Sequence, residues 1–168
     1  LDKTGYKMTR LSHPRLIWGI LAMATIVVAS NILVQFLILD GLLTWGAFTY
    51  PLAFLVTDVM NRVYGAQAAR KVVLAGFLTG VICSLIGSQV MLEYGPAVPL
   101  RIAVASGTAF LIAQLVDVGI FNRLRTGAWW RAPLVSTIIG SALDTALFFT
   151  IAFSATIAIF GANADGAI

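Results

Sequence analysis

Five apolar stretches run through nearly the whole chain, and each is long enough to cross a lipid bilayer. A hydrocarbon core of about 30 Å needs roughly 20 helical residues. The stretches cover residues 16–39, 42–63, 72–92, 102–121 and 133–160. Only 11% of the 168 residues are charged, against about 25% in soluble globular chains. The sequence therefore predicts a single transmembrane domain, residues 1–168, which is an all-α integral membrane protein folded as a compact bundle of about five transmembrane helices.

The basic residues are divided unevenly between the two sides of this bundle. If the N-terminus is cytoplasmic, ten of the eleven Lys and Arg residues fall on the cytoplasmic side and only Arg101 falls on the other. Because cytoplasmic loops carry an excess of Lys and Arg, we expect this orientation. The net charge of +4 then reflects topology and anionic headgroups. We expect the lipid bilayer as a partner, and no nucleic acid.

The residues that enzymes need are scarce in this chain. His13 is the only histidine and Cys83 the only cysteine, which excludes an intrachain disulfide, a Cys/His metal site and a Ser-His-Asp triad. A Gly-x-Gly-Asp element of an intramembrane aspartyl protease is missing, as is a Walker A loop. We expect no enzyme activity, no metal and no cofactor.

Three carboxylates lie inside the apolar stretches, where each costs about 2.5 to 3.5 kcal/mol at a helix centre. Each shares a helical face with polar or aromatic residues, at spacings of three and four. The three faces are Tyr50, Phe54, Asp58 and Asn61; Ser106, Phe110, Gln114, Asp117 and Phe121; and Thr137, Ser141, Asp144 and Phe148. Rings beside carboxylates and an amide suit a flat, hydrogen-bonding ligand. The alternative is that these side chains only hydrogen-bond between helices.

Other polar or irregular positions also carry two interpretations. Pro51 frees the carbonyl of Ala47, and such interruptions mark either a transporter binding site or a structural kink. Asn31 and Gln35 share a face of the first span, where they contact either a ligand or a neighbouring helix. Arg101 is either an interfacial anchor or part of an entrance.

Four stretches of the sequence resemble the queuosine-precursor transporter family, also called the vitamin uptake transporter family. They are ASNILVQ (29–35), TWGAFTYPLAFLVTDVMNRVYGAQAAR (44–70), RIAVASGTAFLIAQLVDVGIFNRLR (101–125) and WWRAPLVSTIIGSALDTALFFTIAF (129–153). The specific part is the joint occurrence of a proline before Thr57-Asp58, then Tyr64-Gly65, Ala69-Arg70, Gln114 with Asp117, and Asp144-Thr145. The resemblance covers more than half of the chain, in the family's order.

This resemblance implies import of a small purine-like substrate across the bacterial inner membrane by a multi-pass protein. The substrates implied are the 7-deazaguanine precursors of queuosine, 7-cyano- and 7-aminomethyl-7-deazaguanine, which serve tRNA modification. Such a ring offers a face for stacking and an N–H edge that a carboxylate or amide can accept. The expected substrate-binding residues are Asp58, Gln114, Asp117 and Asp144, with Phe54 and Phe110 as stacking surfaces and Asn31, Gln35 and Ser141 as further contacts.

Some features depart from the family pattern or stay open. Family members usually have a sixth, C-terminal helix after the span at 133–160, so we expect any contacts from such a helix to be missing here. Many members carry an acidic residue where Arg62 stands, so Arg62 receives no substrate role. The alternative function is a substrate-binding membrane subunit of a multi-component ATP-driven vitamin importer. A purely structural subunit and a homo-oligomer also stay open.

Overall fold

Long apolar helices make up most of the protein in the computed structural model, which describes residues 13–41, 43–93 and 95–154. Four helices in this part of the chain are long and apolar enough to span a membrane. The helices are α1 (His13–Leu33), α2 (Gly46–Thr49), α3 (Pro51–Tyr64), α4 (Ala66–Gly87), α5 (Leu100–Leu124) and α6 (Arg131–Phe153). The predicted all-α membrane bundle is therefore confirmed. Some of the sequence-based expectations fall outside the described residues, namely the basic residues Lys3, Lys7 and Arg10 and the end of the predicted fifth span.

The first two predicted spans differ from the structure. The prediction placed helices at 16–39 and 42–63, but α1 ends at Leu33 and a β-hairpin follows. Its strands, β1 (Leu37–Ile38) and β2 (Leu43–Thr44), pair antiparallel. The turn between them contains Asp40 at φ 55° and Gly41 at φ 91°, a backbone that glycine and aspartate tolerate and a helix does not. Hydropathy alone cannot separate these apolar strand residues from helix.

The second span is also interrupted at Pro51. This residue begins α3, because proline has no N–H to donate and its ring fits the first turn of a helix. The preceding residue, Tyr50, still has helical φ and ψ, and its N–H bonds to the carbonyl of Gly46. The chain therefore continues in nearly helical form from α2 into α3 across a break in the hydrogen-bond ladder.

A second hairpin follows α4 and shortens the third predicted span. Its strands are β3 (Met91–Leu92) and β4 (Gly95–Pro96). Both hairpins lie at one end of the bundle, which we call the hairpin end. The other end, called the basic end, carries the described residues Arg15, Arg62, Arg70, Lys71, Arg123, Arg125 and Arg131.

The helices pack so that several polar side chains lie inside the bundle. α4 contacts α1, α3 and α5, while α6 packs mainly on α5 and touches α3. Apolar side chains such as Leu78 and Ile82 are exposed on the outside, whereas Asp117 and Gln114 are fully buried. This distribution is the reverse of a soluble protein and fits a hydrocarbon surrounding.

Candidate functional site

A cavity of about 580 Å³ lies between α1, the α2–α3 segment, α5 and α6, and its lining reaches Thr44 of the first hairpin. We call it the Asp144 cavity, because Asp144 is the carboxylate in its lining. Aromatic rings and hydroxyl groups surround this carboxylate, as expected of a site for a small polar heterocycle. The lining includes Tyr50, Phe54, Thr137, Ser141, Asp144, Thr145, Phe148 and Phe149.

Tyr50 and Asp144 form the polar centre of this cavity. The Tyr50 hydroxyl donates a hydrogen bond to Oδ1 of Asp144 at 3.0 Å. Asp144 lies 13 residues after Arg131, the start of α6, or about 20 Å along the helix from the basic end. Its second oxygen, Oδ2, makes no hydrogen bond within the described residues. That oxygen can therefore accept a bond from a ligand.

Two phenylalanine rings hold the Tyr50 ring in place. Phe54, one turn further along α3, meets it edge-on at a centroid distance of 6.4 Å. Phe110 of α5 meets it edge-on at 6.3 Å. Edge-to-face rings at such distances attract each other by about 0.5 to 1.5 kcal/mol. The hydroxyl of Tyr50 is thereby directed at Asp144 by apolar contacts.

Toward the basic end, Thr137 joins the cavity to a second carboxylate. Thr137 lines the cavity, and its hydroxyl donates to Oδ2 of Asp58 at 3.2 Å. Ser136, the preceding residue, donates to Oδ1 of the same carboxylate at 3.4 Å. Asp58 lies six residues before the end of α3 and Asp117 seven before the end of α5, each about 10 Å from the basic end. These two carboxylates are therefore roughly 10 Å nearer to that end than Asp144.

Around Asp58 and Asp117 lies a polar layer in which every side chain is at least nine-tenths buried. Thr57 donates to Oε1 of Gln114 at 2.7 Å, and the Asn61 amide donates to the carbonyl of Val118 at 3.0 Å. These bonds join α3 to α5. The layer consists of Thr57, Asp58, Asn61, Gln114, Asp117 and Ser136.

Gly140 allows α6 to approach both the cavity and the polar layer. A Cβ at this position would lie 2.8 Å from Cε1 of Phe54 and 3.2 Å from Cβ of Asp117. Any other residue would overlap the Phe54 ring. Gly140 therefore contacts both the Phe54 ring, which lines the cavity, and Asp117, which lies in the polar layer.

A second cavity of about 410 Å³ lies between α1, α4 and α5, and we call it the Asn31 cavity. Its lining is mostly apolar, and the amide of Asn31 donates to Val27 of its own helix. Tyr50 lies in the lining of both cavities. Its ring therefore forms part of the partition between them.

The structure brings some of the predicted site residues together and separates others. Those in the Asp144 cavity are Phe54, Ser141 and Asp144. Those in the polar layer are Asp58, Gln114 and Asp117. Those in the Asn31 cavity are Asn31 and Phe110. Gln35 lies beyond the end of α1, where its amide is 3.4 Å from the carbonyl of Ala97 in the second hairpin region.

Tyr50 and Thr137 belong to the site, although sequence reasoning left them out of its expected members. Each stands four residues from a residue that was included, Phe54 and Ser141 respectively, so the helical spacing was already visible. The sequence had placed both on the polar faces, Tyr50 with Phe54 and Asp58, and Thr137 with Ser141 and Asp144.

Two arginines connect helix ends at opposite sides of the bundle. Arg62 donates to the carbonyl of Trp129 at 2.7 Å, and its guanidinium lies 5.1 Å from the centre of the Phe121 ring. Arg101 donates to the carbonyls of Ile151 and Ser154, which ties the start of α5 to the end of α6. Arg101 therefore has a structural contact between helices, as well as its place at the hairpin end.

An apolar bundle with a carboxylate in the wall of a cavity and further buried carboxylates is typical of multi-pass membrane transporters. A family described as "Putative vitamin uptake transporter" matches residues 44–164. The chain therefore belongs to the vitamin uptake transporter family. This finding confirms the family resemblance, and because the relatives are named as transporters, it also confirms the expectation that the chain is not an enzyme.

Curated relatives carry more specific names. The "Queuosine precursor transporter" of Escherichia coli (strain K12) is 38% identical over 154 residues, which cover 84% of this chain and 70% of that protein. The "Probable queuosine precursor transporter" of Haemophilus influenzae is 40% identical over 121 residues, covering 66% of this chain and 52% of that protein. The two matches thus span 70% and 52% of the length of these relatives. No solved structure matches it.

Proposed function

We propose that this protein imports 7-deazaguanine precursors of queuosine, 7-cyano- or 7-aminomethyl-7-deazaguanine, and binds them in the Asp144 cavity. The observation that carries the proposal is the Tyr50–Asp144 pair inside an aromatic-lined cavity. The names of the relatives, which match over most of this chain, supply the substrate class.

The chemistry of the cavity suits the guanine-like edge of these molecules. Oδ2 of Asp144 accepts hydrogen bonds from ring and amino N–H groups, while Ser141 lines the same wall and offers a hydroxyl. Phe54 lines the cavity but is only 2% exposed, so the half-buried rings of Tyr50 and Phe148 offer the apolar faces beside them. A hydrogen bond to a charged acceptor contributes about 1.5 to 3 kcal/mol. Asp144 therefore supplies most of the preference for a ring that donates over one that only accepts.

The proposal includes an orientation, with the basic end in the cytoplasm of a bacterial inner membrane. Seven of the described Lys and Arg residues lie at that end, while Arg101, Asp40 and Glu93 lie at the hairpin end. The lining of the Asp144 cavity then reaches the hairpin on the side away from the cytoplasm, which suits the uptake of a substrate from outside.

Purified protein reconstituted alone in liposomes tests the function. We expect saturable exchange of labelled 7-cyano-7-deazaguanine against unlabelled ligand inside, and no exchange of adenine or riboflavin. We also expect the deazaguanine to raise the unfolding temperature, since a ligand at 100 times its Kd stabilises the folded state by about 2.7 kcal/mol. Binding without exchange would favour the alternative of a subunit that needs an ATP-driven partner. The absence of both would contradict the proposed substrate.

A further inference from the structure

Asp58 and Asp117 form a pair of buried carboxylates with no charged partner. Asp58 on α3 is 6% exposed, Asp117 on α5 is fully buried, and α6 contacts both of them, Asp58 through Ser136 and Asp117 through Gly140. We call them the carboxyl pair. The groups that bond to Asp58 are the hydroxyls of Ser136 and Thr137, both from α6. Two carboxylates in one buried layer without a cation cannot both stay ionised at low cost.

The charged groups on the surrounding helices point elsewhere. Arg62, one turn beyond Asp58, is exposed and contacts Trp129 and Phe121 instead. α4 faces this region with the apolar residues of its buried side, Ala68, Ala69, Val72 and Val73, while its Arg70 and Lys71 are exposed. α6 presents hydroxyls, and α5 adds the amide of Gln114. Within the described chain, each member of the pair is thus the other's only titratable neighbour.

The polar layer also has an excess of acceptors. The buried atoms without a hydrogen-bond partner in the described chain are Asn61 Oδ1, Gln114 Nε2, Asp117 Oδ1 and Asp117 Oδ2. Three of these accept and one donates. Buried acceptors that lack a donor are unfavourable. A proton on either carboxyl group supplies a donor and removes one of the two negative charges.

We propose that the carboxyl pair binds one proton, which the two carboxylates share, and that this proton is the coupling ion for the substrate in the Asp144 cavity. The inference rests on the proposed function, since coupling requires a transported substrate. On substrate entry from outside, one carboxyl oxygen of the pair takes a proton from water. After substrate release this proton leaves for water at the basic end, and the water that reaches the pair there stabilises the two ionised groups.

A sodium ion fits this location less well than a proton. Sodium sites in transporters use backbone carbonyls freed by unwound helices, but α3 from Pro51 to Tyr64 and α5 from Leu100 to Leu124 are continuous helices. The break at Pro51 lies seven residues before Asp58, beside the Asp144 cavity and about 10 Å along the helix from the carboxyl pair. The polar layer therefore offers carboxyl, amide and hydroxyl oxygens, but no backbone carbonyl oxygens from a broken helix.

Two contacts connect the carboxyl pair to the substrate cavity. Thr137 lines the cavity and bonds to Asp58, so a ligand that shifts Thr137 changes the donors available to the pair. Gly140 lies against both Phe54 and Asp117, so a ligand that moves the Phe54 ring changes the packing around Asp117. Both contacts belong to α6, which makes that helix the link between occupancy and protonation.

Infrared spectroscopy of the detergent-purified protein tests the proton site without any substrate. We expect a carbonyl band of a protonated carboxylic acid that titrates with pH and corresponds to one proton per chain. Asp58→Asn and Asp117→Asn should each shift or abolish this titration. Asp40→Asn is the matched control, because Asp40 is exposed in the first hairpin turn and asparagine tolerates its φ of 55°. A titration unchanged in both pair variants would overturn the proton site.

Liposome transport tests the coupling. With one proton per substrate, an inward gradient of one pH unit should drive about tenfold accumulation of 7-cyano-7-deazaguanine. In Asp58→Asn and Asp117→Asn the accumulation ratio should fall to about one while exchange of substrate continues. Accumulation that persists in the variants, or that follows a sodium gradient instead, would overturn the proposal. Loss of both exchange and ligand binding in folded variants would also overturn the coupling proposal, because it would indicate that the pair contacts the substrate.

Failure of the proposed function gives a different result. If the unmodified protein neither binds nor exchanges the deazaguanine, the substrate assignment fails, while the infrared titration still decides whether the pair holds a proton. If the unmodified protein exchanges substrate but a pH gradient drives no accumulation, the substrate assignment survives and the coupling proposal fails.

Discussion

The hydroxyl of Tyr50 lies 3.0 Å from Oδ1 of Asp144 and connects residues that are 94 positions apart in the chain. One stands at the break between α2 and α3, and the other lies in the middle of α6. This contact closes one wall of the Asp144 cavity and places a carboxylate at the level where the second span is interrupted.

Replacement of Asp144 should weaken substrate binding without unfolding the protein. We expect Asp144→Ala to lower the affinity for 7-cyano-7-deazaguanine ten- to hundredfold, as the loss of about 1.5 to 3 kcal/mol implies. Asp144→Asn keeps one acceptor and should cost less. Thr79→Val is the matched control, because Thr79 bonds only to the carbonyl of Ala75 in its own helix. Binding isotherms on folded protein measure the effect. Wild-type affinity in both variants would show that Asp144 does not contact the ligand.

The break at Pro51 should matter more for transport than for folding. Pro51→Ala restores an N–H, which favours a continuous helix from Gly46 to Tyr64 and displaces Tyr50 relative to α6. We expect a lower uptake rate in liposomes at a nearly unchanged yield of membrane-inserted protein. A variant that transports normally would show that the kink is only a tolerated irregularity.

Gly140→Ala should destabilise the protein through a steric clash. The new methyl would lie 2.8 Å from the Phe54 ring, and overpacking of this kind costs about 1 to 3 kcal/mol. Gly80→Ala is the matched control, since its Cβ would lie 3.6 Å from Val27, at ordinary contact distance. We expect a lower unfolding temperature for Gly140→Ala only. Equal temperatures for the two variants would mean that Phe54 has room to move away.

Cysteine labelling should reveal which end of the bundle faces outward. Gly41 would be a poor probe site because its φ of 91° strains any other residue. Glu93, exposed in the second hairpin, is a better choice, with Gly127 as the probe at the basic end. After replacement of Cys83, an impermeant thiol reagent applied to intact cells should label Glu93→Cys and leave Gly127→Cys unmodified. The reverse pattern would invert the proposed orientation.

The sequence was most informative where helical spacing and hydropathy act together. The periodicity around Asp58 and Asp117 placed both on inward faces, and the structure buries them in one polar layer. Pairing across helices was not visible, because the bond from Thr137 to Asp58 spans 79 residues and depends on how α3 and α6 pack. The depth difference between Asp144 and the carboxyl pair likewise depends on where each helix begins.

The hairpins could not be read from hydropathy. Residues after Leu33 are as apolar as α1 itself, so Gln35 was assigned to the same helical face as Asn31, although it lies beyond the helix. The Asp40-Gly41 pair indicated a turn at the correct position. The prediction left only these two residues between two helices. The strands on either side were missed, because short strands in an apolar setting carry no polar alternation.

The long separations between polar partners have a consequence for biosynthesis. Asp58 leaves the ribosome 78 residues before Ser136 and 79 before Thr137, its hydroxyl donors. At about 5 to 20 residues per second, this interval lasts roughly 4 to 16 seconds. During that time α3 must wait beside the insertion machinery with its carboxylate unmatched. We expect chains truncated at Gly127 to be degraded rapidly in pulse-chase experiments. The Asp58→Leu form of the same truncated chain should persist longer, because α3 would then carry no carboxylate into the bilayer.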